Sequence, residues 1–302
     1  FILKLPNNVD INNLIADLIN FSWEASEILL YYSKKLKDNS FKKKVIENTN
    51  INNPVTIADL KVNKIIFQRI NEKYPNFNWE FLSEEDSKLS NFEYGAKSDW
   101  LWILDPLDGT KDFIQGTSNY AMHLALNFRN KPYLGLVLIP ERNELWVSNR
   151  SKTFCLKRDG SKLLIHPPQK KKFEDIVLVT SKNHRNLLLT NLIEKINCKN
   201  KITMGSIGCK IASLIRGESD IYISLSIPGG SSPKDWDFAA PEAILRASGG
   251  SITNIKNKSL IYNKKGFNQS GLIIASNNRI NHAKLCYEIK QIILENNIAI
   301  ED

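Results

Sequence analysis

The chain has 302 residues, of which 42% are apolar and 24% are charged, and it is long enough for one large domain or two of ordinary size. No apolar run approaches the ~20 residues of a membrane-spanning helix, and the first residues lack the basic and apolar regions of a signal peptide. The net charge of +9 favours polyanionic partners, either nucleic acid or small phosphorylated molecules.

The cysteines and histidines carry no zinc-binding pattern. The four cysteines form no Cys-x-x-Cys pair, which argues against a zinc site and against a disulfide framework. The four histidines show no His-x-x-x-His spacing, which disfavours zinc hydrolase chemistry. We therefore expect reduced thiols, a cytoplasmic location and no membrane partner.

Two helices are predicted near the N-terminus from apolar residues at helical spacing, over about 10–37 and 57–73. A basic strand or hairpin is predicted between them, at 41–51. Thr56 and Asp59 fit a capping box at the start of the second helix. From the residues alone, helix capping is a sufficient explanation for Asp59.

An acidic run, Ser-Glu-Glu-Asp at 83–86, follows a short strand predicted at 79–82. Acidic runs of this kind are usually solvated loops. If the short strand lies beside the strand that ends near Asp105, however, Glu84 comes close to Asp105.

The segment 100–110 is the most informative part of the sequence. Five bulky apolar residues at 100–104 have the length of a strand covered on both faces. The run Asp-Pro-Leu-Asp-Gly-Thr follows at 105–110, and its two carboxylates can chelate a hard cation such as Mg²⁺. Gly109 lets the backbone approach a ligand, and Thr110 begins a short predicted helix whose N–H groups can bind phosphate. An Asx-type turn that caps this helix remains open as an alternative.

A run of strands predicted after this segment fits an antiparallel meander. The strands are expected at 121–128, 133–139, 145–147 and 153–157. His123 is expected to be a core or cross-strand residue and not a metal ligand.

A domain boundary is predicted within 150–175, which divides the chain into an N-terminal α+β domain (1–160) and a C-terminal α/β domain (161–302). In the second half strands and helices alternate, as in layered α/β domains. Strands are expected at 175–180, 201–204, 220–225, 251–254 and 271–275, and helices at 185–197, 208–216, 237–248 and 280–295. Asp237 stands at a helix start, where N-capping would explain it, and Asp235 is a nearby competitor.

Three segments together resemble the Mg²⁺-dependent, lithium-sensitive phosphatases of the inositol monophosphatase superfamily. They are the run at 105–110, the acidic run at 83–86, and Lys-Asp-Trp-Asp-Phe-Ala-Ala-Pro-Glu at 234–242. They occur in the family's order, and the likeness spans nearly the whole chain. The resemblance implies a layered αβαβα sandwich, with an antiparallel sheet in the N-terminal half and a smaller α/β C-terminal half.

The same resemblance implies the roles of the site residues. Two or three Mg²⁺ ions would be held by the carboxylates of Glu84, Asp105, Asp108 and Asp237 and by the carbonyl of Leu107. Glu85 would help near a further metal. Thr110, held by Asp59, would orient and deprotonate the attacking water, and the N–H groups of Gly109 and Thr110 would bind phosphate.

Shorter strings resemble the CysQ-like 3'(2'),5'-bisphosphate nucleotidases. They include Val-Thr-Ser-Lys-Asn-His at 179–184 and the pair Gly205-Ser206 followed by Lys210. This resemblance implies that His184, Ser206 and Lys210 contact a small phosphorylated substrate. It also implies the conversion of adenosine 3',5'-bisphosphate to AMP and phosphate, within sulfur metabolism. Ser224 departs from the pattern, because several members place an arginine there for the second phosphate.

Two alternatives remain open. Within the same chemistry, the chain resembles an inositol monophosphatase or a fructose-1,6-bisphosphatase-like sugar phosphatase. A different class would be a non-catalytic, basic nucleic-acid-binding protein, but the interleaved aromatic and basic residues of such proteins are missing from the sequence. Nucleic acid is therefore an unlikely partner. The sequence is compatible with a monomer or a homodimer.

Overall fold

The computed structural model describes residues 5–6, 9–37, 56–88, 98–165, 170–183, 186–227, 229–278 and 280–300. The strand or hairpin predicted at 41–51 lies outside these residues, and so does His184. None of the helices in the described part of the chain combines the length and the apolar character that crossing a membrane requires.

The helices follow the predicted ones with one exception: the acidic run at 83–86 begins a single helical turn with Glu85 buried, and not the solvated loop that is usual for such a run. In the described residues the α-helices are α1 (Ile11–Leu36), α2 (Ile57–Lys73), α3 (Glu84–Ser87), α4 (Thr110–Ile114), α5 (Leu187–Lys195), α6 (Ile207–Arg216), α7 (Asp235–Ala247) and α8 (His282–Glu295). The capping box predicted for α2 is formed, because the Thr56 N–H donates to the carboxylate of Asp59 and the Asp59 N–H donates to the Thr56 hydroxyl.

The strands also agree with the predictions to within two residues, apart from one longer extension. They are β1 (Glu80–Ser83), β2 (Trp100–Asp108), β3 (Ala121–Phe128), β4 (Lys131–Ile139), β5 (Glu144–Ser148), β6 (Thr153–Leu156), β7 (Val177–Ser181), β8 (Asn200–Met204), β9 (Ile221–Ser226), β10 (Ser251–Asn254) and β11 (Gly271–Ser276). Strand β2 continues past the apolar run to Asp108, with a register shift against β3 between Asp105 and Asp108. This irregularity re-aims the side chains at the end of the strand.

Two sheets are formed by the described residues. The first has the order β1-β2-β3-β4-β5-β6, and all its pairs are antiparallel except β1 with β2. The second has the order β10-β11-β9-β7-β8, in which β7, β8 and β9 are parallel. The predicted neighbourhood of β1 and β2 is confirmed, because Ser83 pairs with Leu104 and Glu84 therefore follows beside Asp105.

The sheets and helices alternate in layers. Helices α1 and α2 pack on the outer face of the first sheet, α6 and α7 lie between the sheets, and α5 and α8 cover the second sheet. The predicted αβαβα sandwich is therefore confirmed. The middle layer packs against both sheets through one apolar cluster, so the two halves share a core. The division at residue 160 stays a prediction.

Close packing fixes the position of α7. A Cβ atom at Gly135 of β4 would lie 2.6 Å from the Cβ of Ala243 and 2.8 Å from the Ala240 carbonyl oxygen, so a larger residue would push the helix away. The start of α7 carries Asp237, and the contact therefore helps to set the place of that carboxylate.

Candidate active site

The turn after β2 presents Asp105 and Asp108 in a specific local geometry. The Leu107 N–H donates to Oδ1 of Asp105 over 3.0 Å. Gly109 has φ +86°, and a Cβ atom there would lie 2.8 Å from the Asn119 carbonyl oxygen. Both the left-handed backbone and the lack of space require glycine at this position.

Asp108 is held from the opposite half of the chain. Its Oδ2 accepts hydrogen bonds from the Ser206 hydroxyl (2.6 Å) and the Ile207 N–H (2.5 Å) at the first turn of α6. The positive end of the helix dipole stabilises the carboxylate there. Because these bonds use Oδ2, the other oxygen of Asp108 remains available to a ligand.

Asp237 and Asp235 differ in what they contact. Asp237 is the third residue of α7 and not the predicted N-cap: the helix begins at Asp235 after Lys234, and the Asp237 carboxylate accepts the Lys234 N–H over 2.6 Å. Asp235 is buried and accepts from the Asn263 N–H (2.5 Å) and from Nε2 of Gln269 (2.7 Å). Asp235 therefore anchors the chain around Gln269, and Asp237 faces the carboxylates of the first half.

Three carboxylates meet at one point. Asp105, Asp108 and Asp237 each offer an oxygen, and these oxygens all lie within 4.8 Å of one another. Burial raises the pKa of Asp105 well above its ordinary value, and the charges of Glu84, Asp108 and Asp237 raise it further. Burial also raises the pKa of Asp237 well above its ordinary value, with a further contribution from the charge of Asp108.

Such a cluster suits a divalent cation. The donors are hard oxygens, which Mg²⁺ prefers, and their mutual repulsion is relieved when a cation lies between them. The residues present therefore fit the predicted magnesium site. Whether Glu84 and the Leu107 carbonyl complete it stays a prediction, as does the number of ions.

The direct bond expected between Asp59 and Thr110 is replaced by two local bonds. The Thr110 hydroxyl donates to the Leu107 carbonyl over 3.0 Å, and the Thr56 hydroxyl donates to Oδ2 of Asp59 over 2.5 Å. The capping box explains this, because it places the side chains of Thr56 and Asp59, three residues apart in the sequence, in direct hydrogen-bond contact. Burial raises the pKa of Asp59 to about 8, with smaller contributions from the charges of Glu85 and Glu84.

The predicted substrate contacts are placed as follows. Ser206 and Lys210 are both buried. The ammonium of Lys210 donates to the Gly205 carbonyl over 2.5 Å and to the Ser181 hydroxyl over 3.3 Å. In this structure Lys210 thus holds the loop that carries Ser206, and Ser206 holds Asp108. Their contacts with substrate stay predictions, as does that of His184.

Burial lowers the pKa of Lys210 to about 8, against the opposing effect of the nearby Asp108 charge. A lysine with this pKa is partly neutral at mildly alkaline pH. Its hydrogen bond to the Gly205 carbonyl persists in both charge states, because a neutral amine still donates.

His123 is buried and pairs across the sheet with Asp105, so the predicted cross-strand position is confirmed. Its Nε2 lies 3.3 Å from Oδ2 of Asp108, and its Nδ1 lies 3.3 Å from the Trp236 carbonyl oxygen. The ring therefore lies beneath the carboxylate cluster and contacts both β2 and α7. Burial lowers its pKa, which favours the neutral ring there.

Asp112 is a buried carboxylate that sequence reasoning missed. Its Oδ1 accepts from the Thr117 hydroxyl (2.7 Å) and its Oδ2 accepts from Nδ2 of Asn183 (2.9 Å). A Cβ atom at Gly205 would overlap this carboxylate. Asp112 thus ties the predicted substrate segment at 179–184 to the helix that begins at Thr110. No local signal could have found it, because Asn183 lies 71 residues away in the sequence.

A family model described as the inositol monophosphatase family matches residues 11–294. The chain belongs to this family. A relative from Buchnera aphidicola, named 3'(2'),5'-bisphosphate nucleotidase CysQ, is 31% identical over 233 residues, which cover 77% of this chain and 80% of the relative. The Nus factor SuhB of Pasteurella multocida is 28% identical over 212 residues, which cover 67% of this chain and 72% of that protein.

Solved structures of family members share the fold. CysQ from Bacteroides thetaiotaomicron superposes with a TM-score of 0.71 at 23% identity and covers 89% of this chain and 99% of its own. The Thermotoga maritima IMPase superposes with a TM-score of 0.69 at 21% identity and covers 94% of this chain and 99% of its own. The relatives of this family member thus carry the names of several different branches.

Proposed function

We propose that this family member is a 3'(2'),5'-bisphosphate nucleotidase that converts adenosine 3',5'-bisphosphate to AMP and phosphate. At the level of the family, it is a metal-dependent phosphomonoesterase. The observation that carries this function is the meeting of Asp105, Asp108 and Asp237, from both halves of the chain, within 4.8 Å.

In the proposed mechanism, Asp105, Asp108 and Asp237, with Glu84 and the Leu107 carbonyl, would hold two or three Mg²⁺ ions. When bound, Mg²⁺ lowers the pKa of a water molecule and stabilises the oxygen that leaves the phosphorus. Ser206 and the first N–H groups of α6 keep the Asp108 carboxylate in one orientation, as a supporting shell does for metal ligands generally.

The remaining residues act on the water and the phosphate. The Thr110 hydroxyl orients the attacking water. The Asp59 carboxyl, whose pKa burial raises to about 8, takes up the proton in its ionised form, which becomes more populated as the pH rises towards 8. The N–H groups of Gly109 and Thr110 donate to the phosphate oxygens. Attack then occurs in line with the ester oxygen.

The choice of substrate rests on the branch resemblance and on the relatives. Nucleotidases named CysQ are among them at 26–31% identity, and the segments at 179–184 and 205–210 resemble that branch. Because Ser224 replaces the arginine of several members, the second phosphate needs another cation. Lys182 is a candidate, since its side chain is 42% exposed just after β7 and its Nζ lies 3.3 Å from Oε1 of Gln115 and 3.9 Å from Oδ1 of Asp112.

A second candidate is a phosphatase for inositol or sugar phosphates. Ser224 favours it, because a substrate with one phosphate needs no arginine at that position.

Four cysteines without a disulfide accord with a reducing compartment such as the cytoplasm.

A substrate panel tests the proposal. Phosphate release is measured from adenosine 3',5'-bisphosphate, inositol 1-phosphate and fructose 1,6-bisphosphate, with Mg²⁺ and with a chelator. We expect the nucleotide to have the highest kcat/KM and the chelator to abolish release. Asp105→Asn should remove activity, whereas Asp99→Asn, a change at an exposed carboxylate paired with Arg129, should retain it. Full activity in Asp105→Asn would refute the metal site, and salt-dependent DNA binding without phosphatase activity would favour the non-catalytic alternative.

A further inference from the structure

Lys88 places a positive charge at the edge of the acidic cluster. It follows the single turn of α3, and its Nζ lies 3.1 Å from Oε1 of Glu84 and 2.9 Å from Oε1 of Glu85. Glu85 is only 7% exposed and Glu84 only 17%, so this ammonium joins two largely buried carboxylates.

The geometry follows from the local sequence. Lys88 stands four residues after Glu84 and three after Glu85, which is the spacing that brings side chains together on one helical turn. Exposed pairs at this spacing contribute little, but burial of the carboxylates strengthens this one. The ammonium also makes no bond to Asp105, Asp108 or Asp237 among the described residues, so it neutralises only the outer end of the cluster.

An ammonium and a magnesium ion cannot share this place. Mg²⁺ binds carboxylate oxygens at about 2.1 Å, and a divalent ion between Glu84 and Glu85 would meet the Lys88 ammonium at close range. The remaining carboxylates, Asp105, Asp108 and Asp237, form a separate group of oxygens within 4.8 Å of one another, and in the described part of the chain none of them has an ammonium within salt-bridge distance. Lys88 therefore does not neutralise the negative charges of these three carboxylates, which remain free to bind divalent ions.

We infer that Lys88 is a built-in cation that replaces one divalent ion beside Glu85, so that this chain binds two metal ions instead of three. The inference rests on the proposed function, because it requires that the cluster binds divalent ions. The inference adds to that function the number of bound ions and the residue, Lys88, that limits this number.

The test counts bound Mn²⁺ by equilibrium dialysis with the metal alone and no substrate. We expect two ions per chain for the unmodified protein and for Lys88→Arg, which keeps the charge, and three for Lys88→Gln. Lys195→Gln, which removes an exposed charge at the end of α5 on the outer face of the second sheet, is the matched control and should bind two.

Thermal unfolding provides a second reading. Without metal, Lys88→Gln should have a lower Tm than the unmodified chain, since its carboxylates have lost their cation, and saturating Mn²⁺ should close this gap. A Tm difference of the same size with and without Mn²⁺ would mean that Lys88 is only a structural contact. Three ions in the unmodified chain, or two in Lys88→Gln, would also overturn the inference. Absence of bound Mn²⁺ from the unmodified chain would instead refute the metal site itself, and the inference with it.

Discussion

The buried carboxyl of Asp59 makes the stability of the metal-free protein depend on pH. Burial raises its pKa from 3.8 to about 8, and the charges of Glu85 and Glu84 add to this, while hydrogen bonds from Thr56 oppose it. Because the pKa is raised in the folded state, its contribution to stability is fully present below pH 3.8. It is lost as the pH rises towards 8.

The size of the effect follows from the shift. A change of about 4 pKa units corresponds to about 6 kcal/mol at about 1.4 kcal/mol per unit. With about 2 cal/mol/K of unfolding entropy per residue, 302 residues convert the full shift into about 10 °C in Tm. Asp59→Asn keeps an acceptor for the Thr56 N–H and hydroxyl but cannot ionise, and it should therefore escape this loss.

The assay is thermal unfolding in chelator at several pH values from 5 to 8.5. Between the ends of this range about 3 of the 4 units act, or about 4 kcal/mol, so the Tm of the unmodified chain should fall by about 6 °C more than that of Asp59→Asn. Other buried carboxylates such as Asp105 affect both proteins alike, so the difference isolates Asp59. Asp99→Asn should behave as the unmodified chain does. If Asp59→Asn shows the same dependence of Tm on pH as the unmodified chain, the reasoning is refuted.

Three further substitutions test the site. Ser206→Ala removes the hydroxyl that donates to Asp108, and it should weaken Mn²⁺ binding about tenfold in a titration; unchanged affinity would contradict the supporting role. Thr110→Ala should lower kcat by about 10²-fold with little change in KM, and a change in KM alone would argue against its role towards water. Gly205→Ala overlaps the Asp112 carboxylate and should cost about 1–3 kcal/mol in urea unfolding; unchanged stability would show that the loop can move aside.

Local chemistry allowed most of the elements to be predicted. The continuous apolar run at 100–104 predicted a strand buried on both faces, and β2 is such a strand. The Thr56 and Asp59 pair predicted the start of α2. Such signals depend only on neighbours within a few residues, so they predict an element without knowledge of the tertiary structure. Most predicted ends lie within two residues of the observed ones; the largest difference is at β2, which continues through the turn motif because β3 continues to pair with it.

For the candidate site, the sequence predicted the acidic residues but not the residues that hydrogen-bond to them. The motif at 105–110 marked Asp105 and Asp108 from local spacing, and the resemblance added Glu84 and Asp237. The partners of these acids were not predictable in the same way. Ser206 lies 98 residues from Asp108, and Asn183 lies 71 residues from Asp112.

The sequence by itself determined where the chain forms strands and helices and which short runs carry carboxylates, because backbone preference and helix capping act over a few residues. Only the tertiary structure decided that Asp237 and not Asp235 faces Asp105, that His123 lies beneath Asp108, and that Lys88 neutralises Glu85. These contacts depend on how α7 packs between two sheets and on which oxygen of each carboxylate is already bonded. Both follow from the packing of distant segments, for which one sequence holds no periodic signal.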